Sequence, residues 1–348
     1  MKRLGLFAFL ALAVATRVAA QQGPQPPEQP DFQITAEERA AVIAGSIAKL
    51  NESYVYPEIA KKMESAVRSR DGRGEYRSIT SANELTRKLT EDLREVSKDE
   101  HLKLVCSPTG AQEMRSPEPT PDELKARNYG FEKVERMEGN IGYVDIRGFA
   151  PTRIAAETAS AAMTFVANTD ALIIDLRKNG GGDPTMVSYV LSYLFDQVTH
   201  VNDLYSRFEE TPRQWWTLAS VPGLRFGGKK PVYVLTSHYT FSAGEEFAND
   251  LKTQKRAQLI GEATGGGSHP ARFFKVSDHF MIKVPFARAI NPITRTDWEG
   301  VGVVPDVAKP TDEALTVAYR MAVEKLAETA TDPESKERLS KLLQEKKN

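Results

Sequence analysis

The chemistry of this chain centres on Thr240-Phe-Ser-Ala-Gly-Glu-Glu-Phe-Ala248, which follows the apolar run Val232 to Thr236. A serine placed where a buried strand turns into a helix can be held rigidly. The free N–H groups of that helix's first turn favour negative charge. Such a setting suits an acyl-transfer nucleophile. Ser242 with Glu245 three residues on also reads as an ordinary capping box. A nucleophile needs oxyanion donors and a base. Asn179-Gly-Gly-Gly182 lacks both the GxGxxG spacing and a following Lys-Ser/Thr, which weakens a phosphate cradle. It suits an oxyanion hole, in which Gly181 or Gly182 shares the charge with the N–H of Ala243, or equally a tight turn. For the base there are five histidines, His101, His200, His238, His269 and His279, and position alone singles out none. Glu299, between Trp298 and Gly300, could orient an imidazole.

The elements that must position these groups can be read around them. Thr35-Ala-Glu-Glu38 and Ser81-Ala-Asn-Glu84 open helices, and a third runs from about Pro57 to Ser69. Together they predict a helical-bundle cap over 34–100. Leu102 to Val105 alternates as a strand, and Ser107 to Arg127 reads as a Pro- and charge-rich loop, so 101–128 is strand and linker. From 129 to 325 strands alternate with helices: Gly130 to Met137, Ile141 to Ile146, the Ala-rich helix Thr152 to Val166, and the strand Ala171 to Asp175. Ala257 to Gly261 and a hairpin over Phe273 to Phe286 follow, with helix from Asp312 to the C-terminal segment 326–348. Gln197 to Lys230, with Trp215 and Trp216, reads as irregular. The whole predicts an α/β core behind a helical cap.

Bulk composition narrows the possibilities. The 348 residues carry 46 Lys plus Arg against 47 Asp plus Glu, which gives no electrostatic case for nucleic acid. Cys106 is the only cysteine, so no intrachain disulfide or cysteine-rich metal site can form. Lys2-Arg3, the apolar Leu4 to Ala15 and Val18-Ala19-Ala20 predict a cleavable signal peptide over 1–20, with a disordered lead-in over 21–33. The mature protein is expected to be exported, periplasmic or extracellular, with no stable membrane insertion. An intact mass that begins at Met1 would rule out the cleavage.

Five ordered blocks carry a resemblance. They are Ile141-Gly-Tyr-Val-Asp-Ile-Arg-Gly-Phe149, Asp175-Leu-Arg-Lys-Asn-Gly-Gly-Gly182, Thr240 to Ala248, Gly261-Glu-Ala-Thr-Gly-Gly-Gly-Ser-His-Pro270 and Gly300-Val-Gly-Val-Val-Pro-Asp306. Over roughly 35–325 the chain resembles the tail-specific (C-terminal-processing) serine peptidase family. The similarity is to the branch of interphotoreceptor retinoid-binding protein and the tricorn protease core. The resemblance implies a crotonase/ClpP-like core of ββα units with the helical cap. It implies Ser242 as nucleophile, His101 of Asp-x-His-Leu as base, and Glu299 as the acid supporting the histidine. The better-known members use a Ser–Lys dyad, but their lysine position is Gly267 here, and no PDZ domain fits between Val105 and Tyr129.

The resemblance thus implies a secreted serine-type peptidase acting on peptide or protein through Ser242, His101 and Glu299, with no cofactor or metal. One alternative is a non-catalytic module that binds apolar ligands on the same fold. A crotonase-type acyl-CoA enzyme is a further one, disfavoured by export.

Overall fold

The computed structural model describes residues 30–111, 119–209 and 211–345. The expected signal peptide and most of the lead-in lie outside those residues. Three helices come first, α1 (Ala36–Ser53), α2 (Pro57–Gly72) and α3 (Ala82–Ser97). Thr35 caps α1 in a reciprocal capping box with Glu38, and the Ser81 hydroxyl accepts from Glu84 N–H at the start of α3.

The core follows as β1 (Lys103–Cys106), α4 (Pro121–Ala126), β2 (Phe131–Met137), β3 (Ile141–Ile146), α5 (Thr152–Val166), β4 (Ala171–Asp175) and α6 (Pro184–Leu191). Then come β5 (His200–Ser206), β6 (Arg213–Trp216), β7 (Val232–Thr236), α7 (Ala243–Thr253), β8 (Gln258–Gly261) and β9 (Ala271–Lys275). The chain ends with β10 (Phe280–Pro285), β11 (Ala287–Ile290), β12 (Val307–Ala308), α8 (Ala314–Thr329) and α9 (Pro333–Glu345).

A six-stranded sheet in the order β12-β8-β7-β4-β3-β2 carries the site. Its strands are parallel except for the β2–β3 pair, so β2, β3 and α5 form a ββα unit. Every residue of β4 and β7 is buried, as a sheet covered on both faces requires. The period-2 alternation sorts their side chains. Leu172, Ile174, Val232 and Val234 pack with α5, α6 and α7, while Ala171, Ile173, Tyr233 and Leu235 pack with α8 and α9.

The cap does not close a core alone. Its apolar stripe, including Val42, Ile47, Leu50, Leu85, Leu89 and Leu93, packs on Leu104 of β1 and on Phe280, Ile282 and Val284 of β10. Those strands belong to the antiparallel sheet β1-β10-β9. The small bundle, marginal in isolation, thereby gains the cover it needs. Arg207, just after β5, adds bonds of 2.7 Å to the carbonyls of Asn51 and Tyr54.

Three expectations need correction. The segment 197–230 is not irregular throughout: β5 and β6 pair antiparallel, and β11 adds to β5. Trp216 stacks on His200 across that pair, with ring centroids 4.4 Å apart. The linker contains α4, and the C-terminal helix is two helices, with 330–332 between them.

Candidate active site

The loop after β7 is stitched into place before α7 begins. The Ser237 hydroxyl donates to the Arg177 carbonyl (2.6 Å) and the Thr240 hydroxyl to that of Leu176 (2.8 Å). Phe241 N–H donates to the Asn179 carbonyl at 3.0 Å. At the end of this loop Ser242 has φ 53° and ψ −121°, a conformation uncommon and strained for a residue with a Cβ. Its N–H donates to Glu245 Oε2 at 2.8 Å, as the capping-box reading expects. The other half differs: Glu245 N–H donates to the Ser242 backbone carbonyl (2.8 Å), and the hydroxyl makes no capping bond. A half-exposed serine in a strained strand-to-helix turn, its hydroxyl uncommitted, can serve as a nucleophile.

The glycine turn lies directly beside it. A Cβ at Gly181 would sit 2.9 Å from Ser242 Cβ and 3.2 Å from Ala243 N. Gly181, at φ 102°, therefore keeps clear the space next to the serine. Its N–H, however, is committed to Asn179 Oδ1 at 2.8 Å. In this arrangement the Gly181 N–H, expected as an oxyanion donor, is turned to Asn179. Among the described residues the N–H groups of Ala243 and Gly182 have no acceptor, which leaves those two as the available donors.

His101 lies in the turn between α3 and β1. Lys98 ends α3 in the left-handed conformation, and His101 N–H returns to Asp99 Oδ1 at 3.0 Å. Arg94 pins the same turn through the Leu102 carbonyl at 2.7 Å and the Glu100 carboxylate at 2.9 Å. The imidazole packs against Phe241, with centroids 4.8 Å apart, which places it beside the residue preceding Ser242. It makes no hydrogen bond to the Ser242 hydroxyl, and its buried Nδ1 has no partner. A Cβ at Gly267 would meet Phe241 Cζ at 2.2 Å and His101 Cε1 at 2.7 Å. The position of the dyad lysine thus abuts the ring of His101, and no side chain fits there.

Glu299 is brought to His101 but not to its ring. It accepts from the N–H groups of Glu100 (3.0 Å), Ser268 (2.6 Å) and His269 (3.1 Å). Glu299 thus holds the backbone that carries His101, and in this arrangement its hydrogen bonds go to amides rather than to the imidazole.

Of the other histidines, His200 pairs with Asp203 (2.6 Å), His238 with Glu262 (3.0 Å), and His279 Nδ1 with the Ser107 carbonyl (3.0 Å). His269 is buried, its Nδ1 2.6 Å from Asp99 Oδ2. Sequence reasoning passed over Asp99, two residues before the expected base, and took Glu245 only as a cap. Glu245 is fully buried. It accepts from the Thr264 hydroxyl and from the N–H groups of Gly266 (2.7 Å), Gly267 (2.8 Å) and Ser242 (2.8 Å). One carboxylate thus locks the serine turn to the second glycine loop. Glutamate at helix position N3 before a glycine triplet was the only available signal.

The two buried histidines are perturbed in opposite directions. Burial, then the charge of Lys283, lowers His101 to about 3. Burial also lowers His269, but the neighbouring carboxylates of Asp297 and Asp99, the latter hydrogen-bonded to Nδ1, outweigh this and lift it to about 9. From pH 3 to 6.5 the unfolded chain binds the extra proton at position 101, so stability rises with pH. Between 6.5 and 9 the folded chain holds the extra proton at 269, so stability falls with pH. As far as these two groups decide it, the thermal midpoint peaks near pH 6.5. In His101→Ala the acid limb should flatten, and in His269→Gln the alkaline limb. Melts across pH 4–10 check this, and an unchanged pair of limbs would refute it.

Comparison with known proteins covers most of the chain. The family description "Peptidase family S41" matches residues 140–309, and "N-terminal domain of Peptidase_S41 in eukaryotic IRBP" matches residues 35–137. Carboxyl-terminal-processing peptidase 2, chloroplastic, of Arabidopsis thaliana is 29% identical over 179 residues, 49% of this chain and 32% of that protein. The carboxy-terminal-processing protease of Bartonella bacilliformis is 26% identical over 230 residues, 56% and 48% of the two chains. The chain thus spans a third to a half of these relatives' lengths. Two solved structures show the same fold. A protein of Parabacteroides merdae described as a candidate peptidase has TM-score 0.62 at 18% identity, covering 82% of this chain and 96% of that one. The tricorn protease has TM-score 0.51 at 14% identity, covering 90% of this chain and 37% of its own.

Proposed function

The chain belongs to peptidase family S41, and from that premise we propose that it hydrolyses peptide bonds with Ser242 as nucleophile and His101 as base. The observation that carries this reading is the strained Ser242 turn with an uncommitted hydroxyl, flanked by the free N–H of Ala243 and the cleared space at Gly181. The neutral imidazole of His101 takes the Ser242 proton as Oγ attacks the carbonyl carbon. The N–H groups of Ala243 and Gly182 stabilise the oxyanion. The intermediate collapses, and the amine leaves with the proton from His101. Water then attacks the acyl-enzyme, giving a proton to His101, and Ser242 is regenerated. Glu299 supports this by fixing the Glu100–His101 peptide. His101 and Ser242 are not yet hydrogen-bonded, and the contact forms as substrate enters, in line with the loose geometry common before substrate binds.

The substrate class is polypeptide, as the names of the processing-protease relatives suggest. We place the protein outside the cytoplasm on the character of residues 1–20. No helix among the described residues is long and apolar enough to cross a membrane. A fluorophosphonate probe tests the assignment: an adduct at Ser242 in the folded chain is expected. Absence of any adduct at Ser242 would overturn it and favour a binding module.

A further inference from the structure

We propose that His269 is a positioning residue for the base, acting through Asp99 to hold the Glu100–His101 backbone against the serine loop. This inference rests on the reading of His101 and Ser242 given above. Asp99 is fully buried at the α3–β1 junction. Its Oδ1 accepts from His101 N–H at 3.0 Å, and its Oδ2 accepts from the Tyr54 hydroxyl at 3.1 Å and from His269 Nδ1 at 2.6 Å. The backbone N–H of His269 donates to Glu299 Oε2 at 3.1 Å, while Glu299 Oε1 takes Glu100 N–H at 3.0 Å. The adjacent N–H groups of Glu100 and His101 are thus held by two different carboxylates. Both carboxylates are tied to His269, one through its side chain and one through its backbone.

The surrounding carboxylates favour a cation at this point, although burial and the charge of Asp99 raise Glu299 to about 7. Asp99, Glu299 and Asp297 converge on the ring, with Glu299 Oε2 3.6 Å from Nδ1 and Asp297 Oδ2 3.7 Å from Nε2. The other groups near it are His101, Tyr54 through its bond to Asp99, and Tyr56 with its ring edge-on at 5.7 Å. Arg288 lies over the Tyr56 ring at 5.4 Å. Removing the ring's cationic charge leaves buried carboxylates uncompensated, which is strongly unfavourable. Nε2 has no hydrogen-bond partner, so a neutral ring gives up that proton and keeps Nδ1–H on Asp99 Oδ2. The bond that holds Asp99, and His101 with it, depends on the Nδ1 donor rather than on the charge. The elevated affinity of His269 for its proton agrees with this arrangement.

The test measures the rate at which a fluorophosphonate labels Ser242 in the full chain between pH 5 and 10, alongside thermal melts. In His269→Gln the side-chain amide reaches the place of Nε2 and misses Asp99. In His269→Asn the amide nitrogen replaces Nδ1 and keeps the bond. His269→Gln should label at least tenfold more slowly than wild type across this range. His269→Asn, which keeps a donor on Asp99, should recover most of the rate. Equal slowing of the two variants overturns the inference, as does His269→Gln labelling with the wild-type rate and profile. If His269→Gln does not fold, a folded His269→Asn that labels tenfold or more below wild type overturns it. A wild-type chain that takes no label at Ser242 removes the underlying reading, and this inference with it.

Discussion

Ser242→Ala is expected to reduce peptide turnover by about four orders of magnitude or more, since removing the nucleophile of a triad-type site leaves only binding and oxyanion effects. The fold should tolerate the change. The hydroxyl makes no capping bond, so its loss strands no buried partner. Ser242→Gly sharpens the test. At φ 53° a Cβ is strained, and glycine relieves that strain at some entropic cost. The glycine variant should be as inactive as the alanine variant, yet melt at or above the wild-type temperature. Turnover of a casein or unfolded-protein substrate, with melts in parallel, gives both readouts. Either variant retaining even a hundredth of wild-type turnover would sink the assignment of Ser242. A large loss of stability in both would show that the turn is not strained in the way described.

Glu245→Ala is expected to be among the most destabilising single changes in the chain, costing about 4 kcal/mol or more by analogy with other buried, multiply bonded charges. Four donors lose their acceptor at once: the Thr264 hydroxyl and the N–H groups of Ser242, Gly266 and Gly267. Burial raises the pKa of this carboxyl, and the four bonds oppose that shift. Glu245→Gln keeps the volume but turns one acceptor into a donor facing N–H groups, so about half the cost should remain. Activity should fall further than stability alone explains, because the Gly267 loop packs against His101. Urea midpoints for both variants decide the matter. A wild-type midpoint in Glu245→Ala would mean that this carboxylate is not the anchor described.

Much of this was legible in the residues. Continuous apolar runs announced β4 and β7, because a strand buried on both faces has no polar alternation to disguise it. Local chemistry singled out Ser242 and the glycine turn, the family resemblance singled out His101, and the fold sets the three side by side. What failed was whatever depends on distant partners. β5 and β6 were missed because their pattern is mixed: Asn202 is buried facing Glu246, while Trp216 stays largely exposed and rests on His200. The engagement of the Gly181 N–H by the Asn179 side chain could not be read from the residues, because it depends on how the turn folds. The amides that donate to Glu299 were equally hidden, since they are backbone groups up to 199 positions away. A sequence displays side chains and conceals amides, so sites built from amides read poorly.

One feature of the fold bears on when such an enzyme could first act. The histidine is delivered by the cap and the serine by the large sheet, while the carboxylate that joins their supports, Glu299, is synthesised late. A ribosome-bound fragment that ends before that residue carries both reactive groups but lacks the carboxylate that ties the Glu100 amide to the Ser268 amide.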